Sequence, residues 1–137
     1  MEYWLIKSEP EEYSFQDLQK DGKTMWDGVR NYAARNHLRG MKKGDLVLFY
    51  HSVNDKEVVG ICKVLKEHYP DPTADSGDWS VVEFAPVKPL KKKVTLAQIK
   101  TTNELQNIGL VRIGRLSVMP LAAHEFEKIL EMGETSI

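Results

Sequence analysis

Trp26-Asp27-Gly28-Val29-Arg30-Asn31-Tyr32 crowds two aromatic rings, a carboxylate, a guanidinium and a carboxamide around one glycine. Aromatic faces with fixed donors and acceptors are what a protein needs to hold a flat polar ring such as a nucleobase. A second polar cluster, Lys7-Ser8-Glu9-Pro10, closes the first apolar run and offers more groups of the same kind. Neither cluster sets a nucleophile beside a base, so the chemistry on offer is recognition. Trp26 by itself reads as core packing, because large buried aromatics are common and binding platforms are rarer. Its neighbours pull the other way: Asp27, Arg30 and Asn31 are costly beside a sealed core unless each finds a partner. Gly28 permits a turn that brings the main chain close to a ligand. Asn31 can bond two edges of a base at once. Ser8 and Glu9 stand either at a site rim or simply at the turn before Pro10. Arg115 either meets a phosphate or a ring, or forms a salt bridge to Glu9 or Asp27.

Other chemistries have less behind them. In Tyr50-His51-Ser52 the histidine and serine adjoin, but neighbouring strand residues point to opposite faces, so His51 does not serve Ser52 as base. His51 reads as a strand-end histidine bonded to the fold. His37, His68 and His124 lack metal-ligand spacing, and no metal or other cofactor is expected. Cys62, the only cysteine, lies in an apolar strand and reads as an inert core thiol, with no internal disulfide available.

The elements that must position these clusters follow from periodicity and turn chemistry. Tyr3–Lys7 predicts a strand with Trp4 and Ile6 on one face. Ser14 with Asp17 three residues on predicts a capped helix ending near Asp21-Gly22. A second helix is expected over Asn31–Arg39, with Gly40 in the left-handed position after it. Leu46–His51, apolar on both faces, predicts a central strand, and Asn54–Glu57 a hairpin turn into the strand Val58–Val64. Tyr69–Asp78 reads as a loop and Trp79–Val87 as a strand ended by Pro86 and Pro89. Thr95 caps a helical turn through Ile99, a second follows Thr102, and Arg112–Met119 is short or extended. Ala123–Met132 closes the chain as an amphipathic helix, started poorly by Ala122. The result is a single α+β domain over residues 1–137, with a small curved or closed β-sheet and short helices at its rims.

Size and composition agree. The 137 residues, 42% hydrophobic and 28% charged, suit one soluble globular core. A net charge of −1 argues against bulk electrostatic binding to duplex nucleic acid. Lys91-Lys92-Lys93 and Arg30, Arg35 and Arg39 are local basic groups, read mainly as solvated faces. Met1-Glu2-Tyr3-Trp4 does not resemble a signal peptide and no stretch reaches transmembrane length, so a cytoplasmic, membrane-free, monomeric protein is expected.

Trp4-Leu5-Ile6-Lys7-Ser8-Glu9-Pro10 followed by Trp26–Tyr32 resembles the EVE domain, a relative of the PUA and YTH domains. Gly44-Asp45 with Phe49-Tyr50-His51-Ser52, Tyr69-Pro70-Asp71 with Thr73, and Arg115-Leu116-Ser117-Val118 match in the same order over nearly the whole chain. The resemblance implies a stand-alone bacterial member with a PUA-like small β-barrel flanked by short helices. It also implies a non-enzymatic reader of DNA or RNA that grips one modified base, such as 5-methylcytosine or 5-hydroxymethylcytosine. Its pocket would comprise Lys7, Ser8, Glu9, Trp26, Asp27, Gly28, Arg30, Asn31, Tyr32, Arg115, Leu116 and Ser117. Trp79 either completes an aromatic cage opposite Trp26 or packs in the core. Two rivals stand beside this: an enzyme using Glu9, Asp27 or His51 as acid–base groups on a nucleotide or nucleic acid, and a module binding a peptide or metabolite.

Overall fold

A computed structural model describes residues 1–137. In chain order it runs β1 (Tyr3–Ser8), α1 (Phe15–Asp21), β2 (Thr24–Met25), α2 (Tyr32–Gly40), β3 (Leu46–His51), β4 (Glu57–Pro70) and β5 (Ser80–Thr95). There follow α3 (Leu96–Lys100), a 3-10 turn (Asn103–Leu105), α4 (Gly109–Arg112), β6 (Val118–Leu121) and α5 (Ala123–Met132). The strands make one six-stranded sheet in the order β2-β5-β4-β3-β1-β6, with β1 parallel to β3 and antiparallel to β6. No helix is long and apolar enough to cross a membrane.

The middle of the sheet is buried on both faces, which is why Trp4-Leu5-Ile6 and Val47-Leu48-Phe49-Tyr50 carry unbroken apolar runs. Alternation then divides β1 between two layers. Tyr3 stacks on Phe126 of α5, ring centroids 4.4 Å apart, while Trp4 turns toward His37 and Gly40 of α2. Trp4 is held by Asp45, whose buried carboxylate accepts from the Trp4 indole at 3.0 Å and from the amides of Lys42 and Glu2.

The expected barrel does not close. Hydrogen bonding stops at β2 on one side and β6 on the other, because β2 has two residues and pairs only with β5. The sheet curls, and α2 packs against β4, β5 and β6, so a helix bridges the gap that a barrel would close with a ladder. The α+β class stands; the closed barrel is replaced by an open curved sheet.

Local differences have identifiable causes. Gly40 is the last residue of α2, not a left-handed cap, and Met41 after it is extended. A β-carbon at Gly40 would lie 3.2 Å from the Trp4 ring, so this glycine serves packing. Gly22 does take the left-handed position, at φ 80°, after α1. Pro86 and Pro89 do not end β5. They face Cys62 and Gly60, where register shifts in β4 absorb the missing donors. Strand β4 likewise runs past Val64 to Pro70, with the Tyr69 hydroxyl donating to Glu83 across the pair at 2.6 Å. The start of α5, lacking a capping oxygen at Ala122, is met by the Glu125 carboxylate, which accepts from the Ala122 amide at 2.7 Å.

Gly60 makes room for the start of α1. A β-carbon there would fall 2.4 Å from the buried Phe15 ring, which itself packs edge-on against Phe49. Gly60→Ala should therefore cost about 1–3 kcal/mol of stability by overpacking, read from chemical denaturation midpoints at unchanged slope.

Candidate functional site

The ends of β1, β2 and β3 and two loops meet around a cleft of about 700 Å³, within the roughly 300–1,000 Å³ usual for small-molecule sites. Lys7, Ser8 and Glu9 come from the end of β1, and Glu12 and Tyr13 from the lead into α1. Thr24 to Arg30 come from β2 and the loop after it, Ser52 follows β3, and Gly114, Arg115 and Ser117 precede β6. Four of the sixteen lining residues are hydrophobic, so the cleft is a polar site with a small apolar wall.

That wall is chiefly Trp26. Its ring is edge-on to Phe49 and Phe84, each at 5.7 Å between centroids, and to Tyr13 at 6.4 Å. Its amide donates to the Val82 carbonyl, continuing the pairing of β2 with β5. Trp26 is thus half-buried, with the core behind it and the cleft in front. The choice between core and wall dissolves, since the ring is both.

The loop after Trp26 is fastened by Asp71, which the sequence offered only as part of a family motif and not as a site residue. Asp71, its side chain wholly buried, accepts from the Gly28 amide at 3.0 Å and from Arg30 Nη1 at 2.9 Å. It also accepts from the Thr73 amide at 2.7 Å and the Thr73 hydroxyl at 2.6 Å. Burial alone would raise the Asp71 pKa. The bonds from Thr73, Arg30 and the two amides outweigh it and hold the carboxyl well below the usual range. Gly28 sits at φ 77° with open space around it, so the glycine is needed for conformation. Its amide faces Asp71, not the cleft. The spacing Asp71-Pro72-Thr73, an acid with a hydroxyl two residues on, was the available signal for this turn.

Lys7 organises the opposite wall. Its Nζ donates to the Gly114 carbonyl at 2.8 Å and its amide to Ser117, so both ends of the 114–117 loop hang on one residue. Burial and then repulsion from Lys56 lower the Lys7 pKa. The Ser8 hydroxyl donates to the Tyr13 carbonyl, and the Ser52 amide to Ser8. Arg115 is exposed and pairs with no carboxylate, so the salt bridge to Glu9 or Asp27 is absent.

Other sequence-predicted residues stand elsewhere. Asn31 caps α2, its Oδ1 accepting from the Ala34 amide at 2.9 Å, outside the cleft. Tyr32 lies outside on the surface, stacked on Trp79 at 5.1 Å, so Trp79 does not face Trp26 across the cleft. Leu116 is core. Tyr13, Glu12 and Thr24 join the cleft without having been singled out, and Ser52, weighed only as a partner of His51, lines it too; Tyr13 had a local sign, standing just before the Ser14 cap. His51 Nε2 accepts from the Phe15 amide at 3.1 Å, which commits it to the start of α1.

Comparison with known proteins places these features in a family context. The EVE domain model matches residues 2–132. Human thymocyte nuclear protein 1 is 38% identical, the match covering 96% of this chain and 74% of that protein. Among solved structures, protein Atu2648 from Agrobacterium tumefaciens superposes with a TM-score of 0.96 at 38% identity, covering 98% of this chain and 94% of that one. Human THYN1 protein, solved in complex with 5-methylcytosine-containing DNA, superposes at 0.91 with 34% identity over the full length of both chains. A YTH domain from Zygosaccharomyces rouxii shares the fold alone, at a TM-score of 0.60 and 14% identity, covering 97% of this chain and 86% of that one.

Two outcomes follow from the site's geometry. Asp71→Ala leaves buried donors unmet and should cost about 1–3 kcal/mol, measured by denaturation. Burial lowers the pKa of His37, and burial with Lys93 lowers that of His51, below the ordinary 6.5. The unfolded chain therefore binds more protons in that window. The histidine contribution to stability should be level just above about pH 6.5 and fall as pH drops from there through the depressed folded values, seen as a declining melting temperature that His37→Gln and His51→Gln flatten.

Proposed function

Because this chain belongs to the EVE domain family, we propose that its cleft holds a single modified base of a nucleic acid, without transforming it. The observation that carries this is a braced aromatic wall, Trp26, facing a polar cleft whose rim bears an unpaired guanidinium, Arg115. The relative solved with 5-methylcytosine-containing DNA supports a methylated cytosine as the first ligand to test. A hydroxymethylated cytosine and modified RNA bases come next.

Chemistry divides the work. Trp26 stacks the base, a contact worth roughly 1–3 kcal/mol and open to any base. A buried methyl adds about 0.8 kcal/mol, so the discrimination it gives is modest and hydrogen bonds must supply the rest. Glu9, Thr24 and Asp27, with the Ser8 oxygen as an acceptor, are among the cleft groups able to read a base edge, a role that passes from Asn31 because it lies outside the cleft with its carbonyl oxygen on α2. Arg115 takes a phosphate. Extruding the base from a duplex costs a few kcal/mol, which favours single strands and mismatches. Non-enzymatic action is favoured by His51, whose acceptor nitrogen is bonded to the backbone. Action as a cytoplasmic monomer is part of the same proposal.

Anisotropy titration of labelled oligonucleotides, each with one modified or plain cytosine, tests this. Tighter binding of the modified strand is expected. Trp26→Ala should weaken it about fivefold or more, with circular dichroism confirming the fold and Trp26→Phe retaining part of the affinity. A folded Trp26→Ala protein that binds as wild type would sink the stacking role.

A further inference from the structure

Tyr32 presents 65% of its surface to solvent, although it is an aromatic residue at the first turn of α2. Its ring is stacked on Trp79 with planes 22° apart. Trp79 is fixed from behind. Gly77 turns at φ 93°, and a β-carbon there would come within 2.6 Å of Trp79 Nε1, while the Trp79 carbonyl accepts from the Asp71 amide at 2.9 Å. The Arg35 guanidinium lies 5.0 Å from the Tyr32 ring and 5.8 Å from the Trp79 ring, against 5.1 Å between the rings. Those distances form a near-equilateral triangle, so Arg35 flanks the pair and leaves the outer face of Tyr32 uncovered.

Charge at this surface is unevenly spent. Arg39 is paired with Asp78 at 2.7 Å. Arg35 donates only to neutral oxygens, the Asp78 carbonyl and the Asn36 side chain, so its positive charge is uncompensated. Arg30 connects this surface to the cleft. It lines the cleft, is 39% exposed, and lies 5.6 Å from the Trp79 ring. The aromatic pair is therefore a fixed platform at the edge of the cleft, with a free cation beside it.

We propose that Tyr32, backed by Trp79, is a second subsite that stacks the nucleotide next to the base held in the cleft, with Arg35 meeting the intervening phosphate. Resting on the cleft's reading as a base site, it assigns the surface to the same strand. An aromatic face stacks any base, and a guanidinium contacts phosphate without reading sequence. The subsite thus adds affinity for strands, not preference for a base.

The test compares a modified deoxycytidine mononucleotide with two short single strands carrying the same modified base, one with ordinary neighbours and one with abasic neighbours. Wild-type protein should bind the strand with neighbouring bases about fivefold or more tighter than the abasic-flanked strand. Tyr32→Ala should erase that difference and leave mononucleotide binding unchanged, and Tyr32→Phe should keep both. Arg35→Gln should lower the slope of log affinity against log salt by roughly 0.7, one phosphate contact on a single strand. Equal binding of the two strands by wild type, or equal loss of mononucleotide and strand in Tyr32→Ala, would overturn the subsite. Failure of the cleft's role has a different signature: modified and plain bases bind alike and Trp26→Ala binds as wild type, whatever Tyr32 does.

Discussion

The buried carboxylate of Asp71 is the constraint on which the site depends. An anion removed from water is tolerable only when donors surround it, and here the donors come from two loops. Gly28 and Arg30 reach it from the segment after β2, and Thr73 from the loop between β4 and β5. The left-handed turn at Gly28 is what aims that amide at the carboxylate. From this one anchor follow the placement of Trp26 before the turn, the start of α2 at Asn31 after it, and the course of the loop that presents Trp79.

Asp45 plays a matching part in the core, where its carboxylate receives the Trp4 indole and two amides. Trp4 is thereby fixed against α2, the helix that covers the opening of the curved sheet. Two acids thus hold two tryptophan-bearing segments, Asp45 that of Trp4 and Asp71 the turn after Trp26. The cleft lies where the ends of β1, β2 and β3 meet, and its walls are strand ends and short tethered loops.

Much of this was legible in sequence because its causes are local. The Ser14 and Thr95 caps declare themselves within three residues, and the two-sided burial of β3 is written in Leu46–His51. Clustering of Lys7, Ser8 and Glu9 with Trp26–Arg30 and Arg115 required the family resemblance, since no local pattern joins segments so far apart. What escaped was decided at long range. Asp71 lies 43 residues from Gly28. Pro86 and Pro89 looked like strand ends until register shifts in the partner strand accommodated them, and Gly40 looked like a cap until Trp4 packed on it. Asn31 is a different case: its cap is as local as those of Ser14 and Thr95, three residues from Ala34, but its carboxamide suits a ligand as well as a helix start, and chemistry alone did not separate the two.

The double position of Trp26 constrains how such a site can diversify. Its ring is wedged against Phe49 and Phe84, so a lineage that changes this wall also reshapes the core and must repair its folding in the same step. The rim residues carry no such debt: Glu9, Asp27 and Arg115 are exposed and can be exchanged singly. Divergence among relatives should therefore accumulate at the rim while the aromatic wall is inherited intact.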